Sequence, residues 1–447
     1  MNHPKKGRAS SDHEFSKPLR TTSAVLGNRR LVELVYDRDK RRTGLAVWNG
    51  ETWQMEDAVT LDNGTRLIPY SAENNLIRHE VILLPSKPEE YGTEAELVHE
   101  IQSFIHRYVD ISPRFERIAS HYVLFSWIYD CFNELPYLRL RGDYGSGKTR
   151  FLLTVGALCY KPIFASGAST VSPIFHILDA FRGTLIFDEA DFRFSDKNAD
   201  IVKILNNGNM RGMPVLRTEV NRNREFNPRA FHVYGPKIVA TRGHYQDRAL
   251  ESRFITEEMG AKKLRSDIPI SLAEDYKAEA LRLRNKLLLY RFRTFGKKAI
   301  AGRFIDATIE PRLNQIFAPL MSVAGTEELR AELRAVAREL NAELIEDRGL
   351  DVEADILAVI QTLFEAPDKR RVSIKDITTE LQKRNGGDYD RNITSKWVGG
   401  IVRRRLQIKA QKSNGVYIIP VAQRPKLERL FVKYGLRDDR AGVGESA

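Results

Sequence analysis

A glycine-rich loop in the first third of the chain has the residue types and spacing of a phosphate-binding site. Gly142, Gly147, Lys148 and Thr149 fit the pattern G-x-x-x-x-G-K-[ST]. Glycines let backbone N–H groups turn toward phosphate oxygens. The lysine would neutralise charge on the β- and γ-phosphates, and the hydroxyl would bind Mg²⁺. The candidate ATP-binding residues are Gly142, Asp143, Tyr144, Gly145, Ser146, Gly147, Lys148, Thr149 and Arg150.

The neighbouring sequence supports this interpretation. A strand pattern over Tyr137–Arg141 precedes the loop, and a helix pattern over residues 150–160 follows it; this context distinguishes a Walker A loop from a chance match. About forty residues downstream, the apolar run Thr184–Phe187 ends in Asp188 and Glu189. This pattern is typical of a Walker B strand, in which Asp188 would hold Mg²⁺ and Glu189 would orient and polarise the attacking water.

The short spacing between these motifs resembles that of AAA+ ATPases and related ring helicases. The letters Asp188-Glu-Ala-Asp191 do not indicate a DEAD-box protein, because that class has a longer interval and a second RecA-like domain. The resemblance to AAA+ proteins runs from about residue 135 to 325 and implies three further catalytic residues. Thr241 ends a strand pattern where sensor 1 is expected. Arg253, in a Ser-Arg-Phe segment similar to that of MCM-type helicases, would reach the ATP site of a neighbouring subunit. Arg312 resembles the sensor 2 arginine of a lid helix. For Arg253 an ordinary surface salt bridge is the alternative.

The wider layout resembles MCM-type helicases and replication ATPases of mobile genetic elements. It implies an α/β fold with an AAA+ P-loop core, a helical lid, an N-terminal small β and helical region, and a C-terminal winged helix. The chain departs from many MCM proteins in its short core and in lacking a zinc-binding cysteine cluster. The predicted boundaries are 1–28 for a disordered tail, 29–90 for a small β domain, 91–135 for a helical linker, 136–262 for the ATPase core, 263–345 for the lid, 350–436 for the winged helix and 437–447 for a tail. The β domain is either an OB-like nucleic-acid platform or a structural module.

Two segments are candidates for contact with DNA. Between the Walker B strand and Thr241, two extended runs flank a basic turn, which predicts a β-hairpin. In the ring helicases that this chain resembles, such a hairpin tracks the phosphate backbone, so Arg211, Arg217, Arg222 and Arg224 are candidate phosphate contacts. A solvated hairpin without a DNA role is the alternative.

The C-terminal unit contains the second candidate. Residues 394–405 have the pattern of a recognition-type helix, and an Asn414-Gly415 turn within residues 407–420 predicts the two strands of a wing. Its candidate DNA-binding residues are Lys396, Arg403, Arg404, Lys409 and Lys412. Some winged helices bind protein instead, so that alternative stays open.

Composition limits the class of protein. The formal net charge is +12, which favours polyanionic partners. No apolar run is long enough to span a membrane, and the polar N-terminus lacks the apolar segment of a signal peptide. Cys131 and Cys159 lie in apolar stretches, which argues against a disulfide framework. A cytoplasmic location is therefore expected.

Three functions fit these features. The first is an ATP-dependent DNA helicase or translocase that acts on single-stranded or forked DNA as a homo-hexameric ring, with ATP and Mg²⁺ between subunits. The second is an initiator or loader ATPase that remodels DNA or protein without unwinding. The third is a DNA-binding regulator in which ATP sets the oligomeric state. The adjacent Asp188 and Glu189 argue against the third, because a pure sensor has little use for a water-polarising carboxylate.

Overall fold

The architecture was examined in a computed structural model that describes residues 18–27, 29–190, 196–220, 226–245, 247–260, 264–273, 275–349, 352–365, 371–384, 393–413 and 415–437. The chain divides into two compact units, Met1–Ala335 and Val336–Ala447. Among the described residues, no helix combines the length and apolar character needed to cross a membrane.

The first unit begins with short strands that follow the alternation seen in the sequence. They are β1 (Leu19–Thr21), β2 (Ser23–Val25), β3 (Leu31–Asp37), β4 (Arg42–Trp48), β5 (Trp53–Glu56), β6 (Val59–Thr60) and β7 (Arg66–Pro69). Strands β2-β3-β4-β5 form an antiparallel sheet, and β1-β7-β6 form a second sheet. The prediction of a disordered tail over 1–28 was therefore wrong for residues 19–25. Strands β1 and β2 have three residues each and are too short to show a period; β1 pairs with the distant strand β7, as in Leu19 with Leu67, and β2 pairs with the neighbouring strand β3.

A helical segment follows, with α1 (Asn75–Arg78), α2 (Glu94–Tyr108) and α3 (Pro113–Trp127). Helix α2 begins with a capping box: Thr93 accepts a hydrogen bond from the N–H of Glu96, whose carboxylate accepts one from the N–H of Thr93. The apolar stripe predicted from the sequence is buried along this helix, as Leu97, Ile101, Phe104, Ile105 and Tyr108. Helical periodicity therefore identified the face of α2 that packs inward.

The part of the first unit from residue 137 to 258 alternates strands with helices. Its elements are β8 (Tyr137–Arg141), α4 (Lys148–Gly156), β9 (Ile163–Ser166), α5 (Val171–Phe181), β10 (Leu185–Asp188), α6 (Asp196–Asn207), β11 (Val215–Val220), β12 (Phe226–Phe231), β13 (Lys237–Thr241), α7 (Arg248–Glu251) and β14 (Phe254–Glu258). The sheet has the order β14-β8-β13-β10-β9 with every pair parallel. The predicted α/β core is confirmed, and its sheet is parallel. Because the carboxyl ends of parallel strands meet at one edge, this order places β13 between the two motif-bearing strands β8 and β10.

Strands β11 and β12 stand apart from this sheet as an antiparallel pair, with register from Val215–Phe231 to Val220–Phe226. The hairpin predicted from the sequence is thus present. Its turn, residues 221–225, lies outside the described residues and includes the candidate contacts Arg222 and Arg224.

The first unit ends with α8 (Tyr276–Thr294), α9 (Pro311–Val323) and the long helix α10 (Glu327–Gly349), in which the boundary between the units falls. One hydrophobic cluster includes Val32 and Leu45 of the N-terminal sheet together with Leu185 and Phe187 of the parallel sheet. The N-terminal strands and the parallel sheet therefore share a hydrophobic core.

Buried charges join the same parts of the first unit. The Glu33 carboxylate on β3 lies 3.0 Å from Lys161 Nζ and accepts hydrogen bonds from Arg291 Nε at 2.7 Å and from the Tyr160 hydroxyl at 2.8 Å. Arg291 also donates two hydrogen bonds of 2.7 Å to Asp130. Since unpaired buried charges are costly, these paired charges stabilise the packing of the N-terminal sheet against the rest of the first unit.

The second unit has its own core, built from α11 (Val352–Glu365), β15 (Val372–Ser373), α12 (Ile374–Arg384), α13 (Ser395–Arg404), β16 (Gln411–Ser413), β17 (Val416–Ile419) and α14 (Arg424–Lys433). The strands form an antiparallel sheet in the order β15-β17-β16. Thr394 caps α13 by accepting a hydrogen bond from the Trp397 N–H. Helix α13 lies within the segment 394–405, and strands β16 and β17 within the segment 407–420, where the sequence predicts a helix and two strands.

Candidate nucleotide-binding site

The glycine-rich loop connects β8 to α4, as its motif predicts. The backbone of Gly145 and Gly147 is left-handed, with φ of 74° and 93°, which glycine adopts without strain. A side chain on Gly142 would place its Cβ 2.4 Å from the Met259 carbonyl oxygen, so this position has no room for one. The Gly142 N–H donates to the Thr241 carbonyl at 3.2 Å, which ties the loop to the central strand β13.

The Lys148 side chain contacts the backbone of the glycine-rich loop. Its ammonium donates hydrogen bonds of 2.7 Å to the carbonyl oxygens of Gly142 and Asp143. The Ser146 hydroxyl donates to the same Asp143 carbonyl at 2.8 Å. The loop is thus compact, and its own carbonyl oxygens bind the Lys148 charge.

The two Walker motifs meet at Thr149 and Asp188. The Thr149 hydroxyl, in the first turn of α4, donates to the Asp188 carboxylate at 2.7 Å across the end of the sheet. The other carboxylate oxygen accepts the Glu189 N–H at 2.9 Å. A hydroxyl and a carboxylate are hard oxygen donors of the kind that Mg²⁺ prefers, so these two residues fit the ion implied by the motif.

Glu189 follows directly and is exposed at the same edge. Its backbone is left-handed, with φ of 55°, which is uncommon for a residue other than glycine and is found at functional sites more often than elsewhere. Close packing against Gly167, whose added Cβ would lie 3.4 Å from the Cβ of Glu189, limits where this side chain can go.

These residues enclose a pocket of about 310 Å³. Its lining consists of Tyr144, Gly145, Ser146, Gly147, Lys148, Thr149, Arg150, Asp188, Glu189, Ala240 and Arg242. Arg150 also donates to the Ile270 carbonyl at 2.5 Å, which joins α4 to the segment that precedes α8. The lining thus contains nine of the residues selected from the sequence, together with Ala240 and Arg242.

The proposed sensor position differs from the expectation. Thr241 is 1% exposed and is not among the lining residues, and its hydroxyl has no hydrogen-bond partner within the described part of the chain. The next residue, Arg242, faces the pocket, and its guanidinium lies 3.8 Å from the centre of the Tyr144 ring. Thr241 is the last residue of β13, in which all five residues are buried, whereas Arg242 lies beyond the end of the strand. Sequence alone did not reveal where the buried strand ends.

Arg253 and Arg312 lie together, away from this pocket. Arg253 is 8% exposed and donates to Asn209 at 3.0 Å, Asn206 at 2.5 Å and the Ala249 carbonyl at 2.6 Å. Arg312 donates to the same carbonyl at 3.3 Å. Burial, and then the Arg312 charge, lower the pKa of Arg253.

The carbonyl of Arg253 accepts the Tyr137 N–H at the beginning of β8, whereas the glycine-rich loop follows the end of that strand. The two arginines thus lie at the amino edge of the sheet, on the order of 15 Å along the strands from the Walker motifs. Within one chain the Arg253 guanidinium is buried and bound by neighbouring polar groups.

The candidate DNA contacts on the hairpin are held against the protein. The Arg217 guanidinium lies 4.7 Å from the Phe175 ring centre and 3.4 Å from Asp200, and Arg211 donates to the Phe132 carbonyl at 3.0 Å. The opposite face of the hairpin carries Leu216 and Phe226, which are 69% and 78% exposed. Side chains alternate between the two faces of a strand, and Arg217 lies on the inner face of β11. The sequence analysis did not take this alternation into account.

The candidate contacts of the second unit are all exposed: Lys396, Arg403, Arg404, Lys409 and Lys412. The Arg403 guanidinium lies 5.2 Å from the Tyr417 ring centre, and Tyr417 pairs with Lys412 across β16 and β17. The Arg403–Tyr417 contact therefore joins helix α13 to the strand pair, and sequence analysis did not select Tyr417.

Comparisons with known proteins gave remote structural similarity. No family model matches the chain, and no curated protein matches it. Among solved structures, the NrS-1 C-terminal region aligns with a TM-score of 0.39 and 11% identity, over 87% of this chain and 95% of that one. The SCCmec type IV Cch active helicase gives 0.35 and 11%, over 89% and 94%. Aeropyrum pernix Orc1 in complex with DNA gives 0.23 and 17%, over 73% and 94%. With TM-scores this low, function has to be argued from the chain's own site.

Proposed function

We propose that the chain is an ATP-dependent DNA helicase or translocase of the AAA+ class that works as a ring, with its ATPase site at the carboxyl edge of the parallel sheet. The observation that carries this proposal is the 2.7 Å hydrogen bond between Thr149 and Asp188. It brings the hydroxyl of the Walker A motif and the carboxylate of the Walker B motif to one point, beside Glu189 and the Lys148 ammonium. Nucleoside triphosphate hydrolysis requires this set of groups.

The chain's own residues account for the chemistry. Mg²⁺, held by Thr149 and Asp188, supplies positive charge to the phosphate oxygens when bound. Lys148 exchanges its loop carbonyls for phosphate oxygens and offsets the charge that develops on them. Glu189 orients a water molecule and accepts its proton as the water oxygen bonds to the γ-phosphorus. The bond from that phosphorus to the bridging oxygen breaks, and ADP and phosphate leave.

The decisive experiment replaces Glu189 with Gln. The variant keeps the shape of the side chain but cannot accept a proton, so we expect ATP binding like that of the wild type and a loss of turnover of about 10²-fold or more. Binding is measured with a fluorescent ATP analogue and turnover by phosphate release. Glu328→Gln, an exposed carboxylate on α10, is the matched control. Normal turnover in Glu189→Gln would contradict the proposed ATPase site.

DNA binding is assigned to the second unit, as a winged helix with α13 as the recognition helix and β16–β17 as the wing. The exposed basic side chains and Tyr417 on this surface support the assignment, since phosphate contacts come from Lys and Arg. Strand displacement on forked DNA tests whether hydrolysis is coupled to unwinding. ATP turnover stimulated by DNA without strand displacement would overturn the helicase assignment and favour a loader or remodelling ATPase.

A further inference from the structure

A cavity of about 880 Å³ lies among the helices of the first unit and shares no lining residue with the pocket at the glycine-rich loop. Its wall is formed by one face of α2, by Arg117 and His121 of α3, by Lys298, and by the turn that joins α9 to α10 together with the start of α10. Sites for small organic molecules have volumes of about 300–1,000 Å³, so the cavity is large enough to hold one. The proposed ATPase site uses none of these residues.

One buried side chain in the wall, that of His121, offers a hydrogen-bond acceptor. His121 is 8% exposed, and its Nδ1 lies 2.9 Å from the Arg117 carbonyl oxygen. Because a carbonyl oxygen only accepts hydrogen bonds, Nδ1 carries the hydrogen, and Nε2 is the acceptor of the neutral ring. Burial lowers the pKa of His121, which favours this neutral form. Among the residues that the structure describes, none donates a hydrogen bond to Nε2.

The charges in the wall balance one another. The charged residues are three of each sign: Arg117, Lys298, Arg330, Glu94, Glu328 and Glu332. Arg117 donates hydrogen bonds of 2.9 and 2.5 Å to Glu332, and Lys298 Nζ lies 3.1 Å from the Glu94 carboxylate. An ionic ligand would have to compete with ion pairs that are already formed, and it would lose its own hydration as well. A neutral ligand avoids both costs.

The wall also contains the apolar side chains of Ala95, Val98, Ala324 and Leu329. We propose that this cavity binds a neutral, mainly apolar molecule with an N–H or O–H group, and that this group donates a hydrogen bond to His121 Nε2. A buried acceptor without a partner is unfavourable, so a ligand that brings a donor to it gains affinity. The inference does not depend on the proposed ATPase activity.

Indole and benzofuran are suitable probes, because their rings have the same shape and differ at one position. Indole has an N–H there, whereas benzofuran has an oxygen that cannot donate. We expect indole to bind the full chain with a dissociation constant on the order of 0.1–1 mM, as suits a ligand of this size. Benzofuran should bind about 3- to 10-fold more weakly, which is the effect of one neutral hydrogen bond. Ligand-observed NMR titration measures both affinities.

Variants of the wall locate the binding site. His121→Phe keeps a ring but has no acceptor, so indole should lose its advantage over benzofuran. His121→Gln keeps an acceptor near the position of Nε2 and should retain part of that advantage. Ala95→Phe adds a large side chain at an exposed position of α2 that lines the cavity, and it should abolish the binding of both probes.

His79→Phe is the matched control, because it alters an exposed histidine outside the cavity and should leave both affinities unchanged. Melting temperature shows whether each variant is folded. The proposal is overturned if indole does not bind at millimolar concentration, as expected of a cavity that holds only water. Equal affinities for the two probes would also overturn it, and so would indole binding that survives in Ala95→Phe. None of these measurements involves ATP turnover, so failure here and failure of the ATPase proposal are distinguishable.

Discussion

Burial in the first unit changes the pKa of the Lys237 amine. Lys237, at the start of β13, is fully buried, and its ammonium donates to the carbonyls of Gly208, Val233 and Gly235 at 3.3, 2.9 and 2.9 Å. Burial lowers the pKa of Lys237 to about 7, from an ordinary value of 10.5. The protein therefore favours the neutral amine above neutral pH, whereas the unfolded chain keeps the proton.

This difference predicts a dependence of stability on pH. Between about pH 7 and 10.5 the unfolded state binds the extra proton, so the free energy of unfolding should rise with pH by up to about 1.4 kcal/mol per unit from this residue. Lys237→Met should reduce that slope between pH 7.5 and 9. Urea unfolding followed by tryptophan fluorescence measures it, in a Trp397→Phe background so that the first unit alone reports. Equal slopes in the two proteins would contradict the lowered pKa.

At the scale of elements, two candidate DNA-binding segments differ in how their basic side chains are held. Arg217 on β11 is bound by Phe175 and Asp200, whereas Lys396 on α13 and Lys412 on β16 are exposed. A guanidinium already bound by the protein releases fewer counterions when DNA binds. The salt dependence of DNA affinity should therefore depend on α13 and β16 more than on β11.

We expect the double variant Lys396→Ala with Lys412→Ala to weaken DNA binding and to reduce the slope of log K against log salt concentration on a single strand by about 1.4, because two phosphate contacts are lost. Arg217→Ala serves as the comparison and should leave the slope unchanged. Fluorescence anisotropy with a labelled single strand at several salt concentrations provides the measurement. If the slope falls only in Arg217→Ala, the hairpin and not the second unit contacts the DNA.

At the scale of the whole molecule, the ATPase site is incomplete if Arg253 acts on it from another copy. Arg253 and Arg312 lie at the opposite edge of the sheet from Lys148, so one chain does not bring them together. In a head-to-tail ring, one subunit's amino edge can face the next subunit's pocket. The arginine would then leave Asn206 and Asn209 when the ring assembles.

Mixing inactive variants tests this arrangement. Lys148→Ala disables the loop, and Arg253→Ala disables the arginine; each alone should have little activity. In a mixture of equal amounts, about a quarter of the interfaces combine an intact loop with an intact arginine, so that fraction of wild-type turnover should return. A mixture of Lys148→Ala with Glu189→Gln has both defects on the same side of the interface and should recover none. Failure of the first mixture, with mixed oligomers shown by mass photometry, would contradict a shared site.

Local sequence predicted those parts of the site that local chemistry determines. The glycine-rich loop and Asp188–Glu189 could be located because phosphate binding requires particular residues at fixed spacing along one strand–loop–helix unit. The inward turn of Arg217, the burial of Thr241 and the partners of Arg253 depend on residues far away in the chain. Strands β1 and β2 escaped prediction because each is three residues long and depends on a partner strand.

The buried charges around Glu33 affect the order in which the chain can fold as it is synthesised. Glu33 meets Tyr160 across 127 residues and Arg291 across 258 residues. The N-terminal strands leave the ribosome first, yet the cations that compensate their buried carboxylate come much later. Contacts of such wide sequence separation form slowly, and domains usually fold as units during synthesis. The N-terminal sheet therefore cannot complete its folding early, and its docking should follow the synthesis of α8.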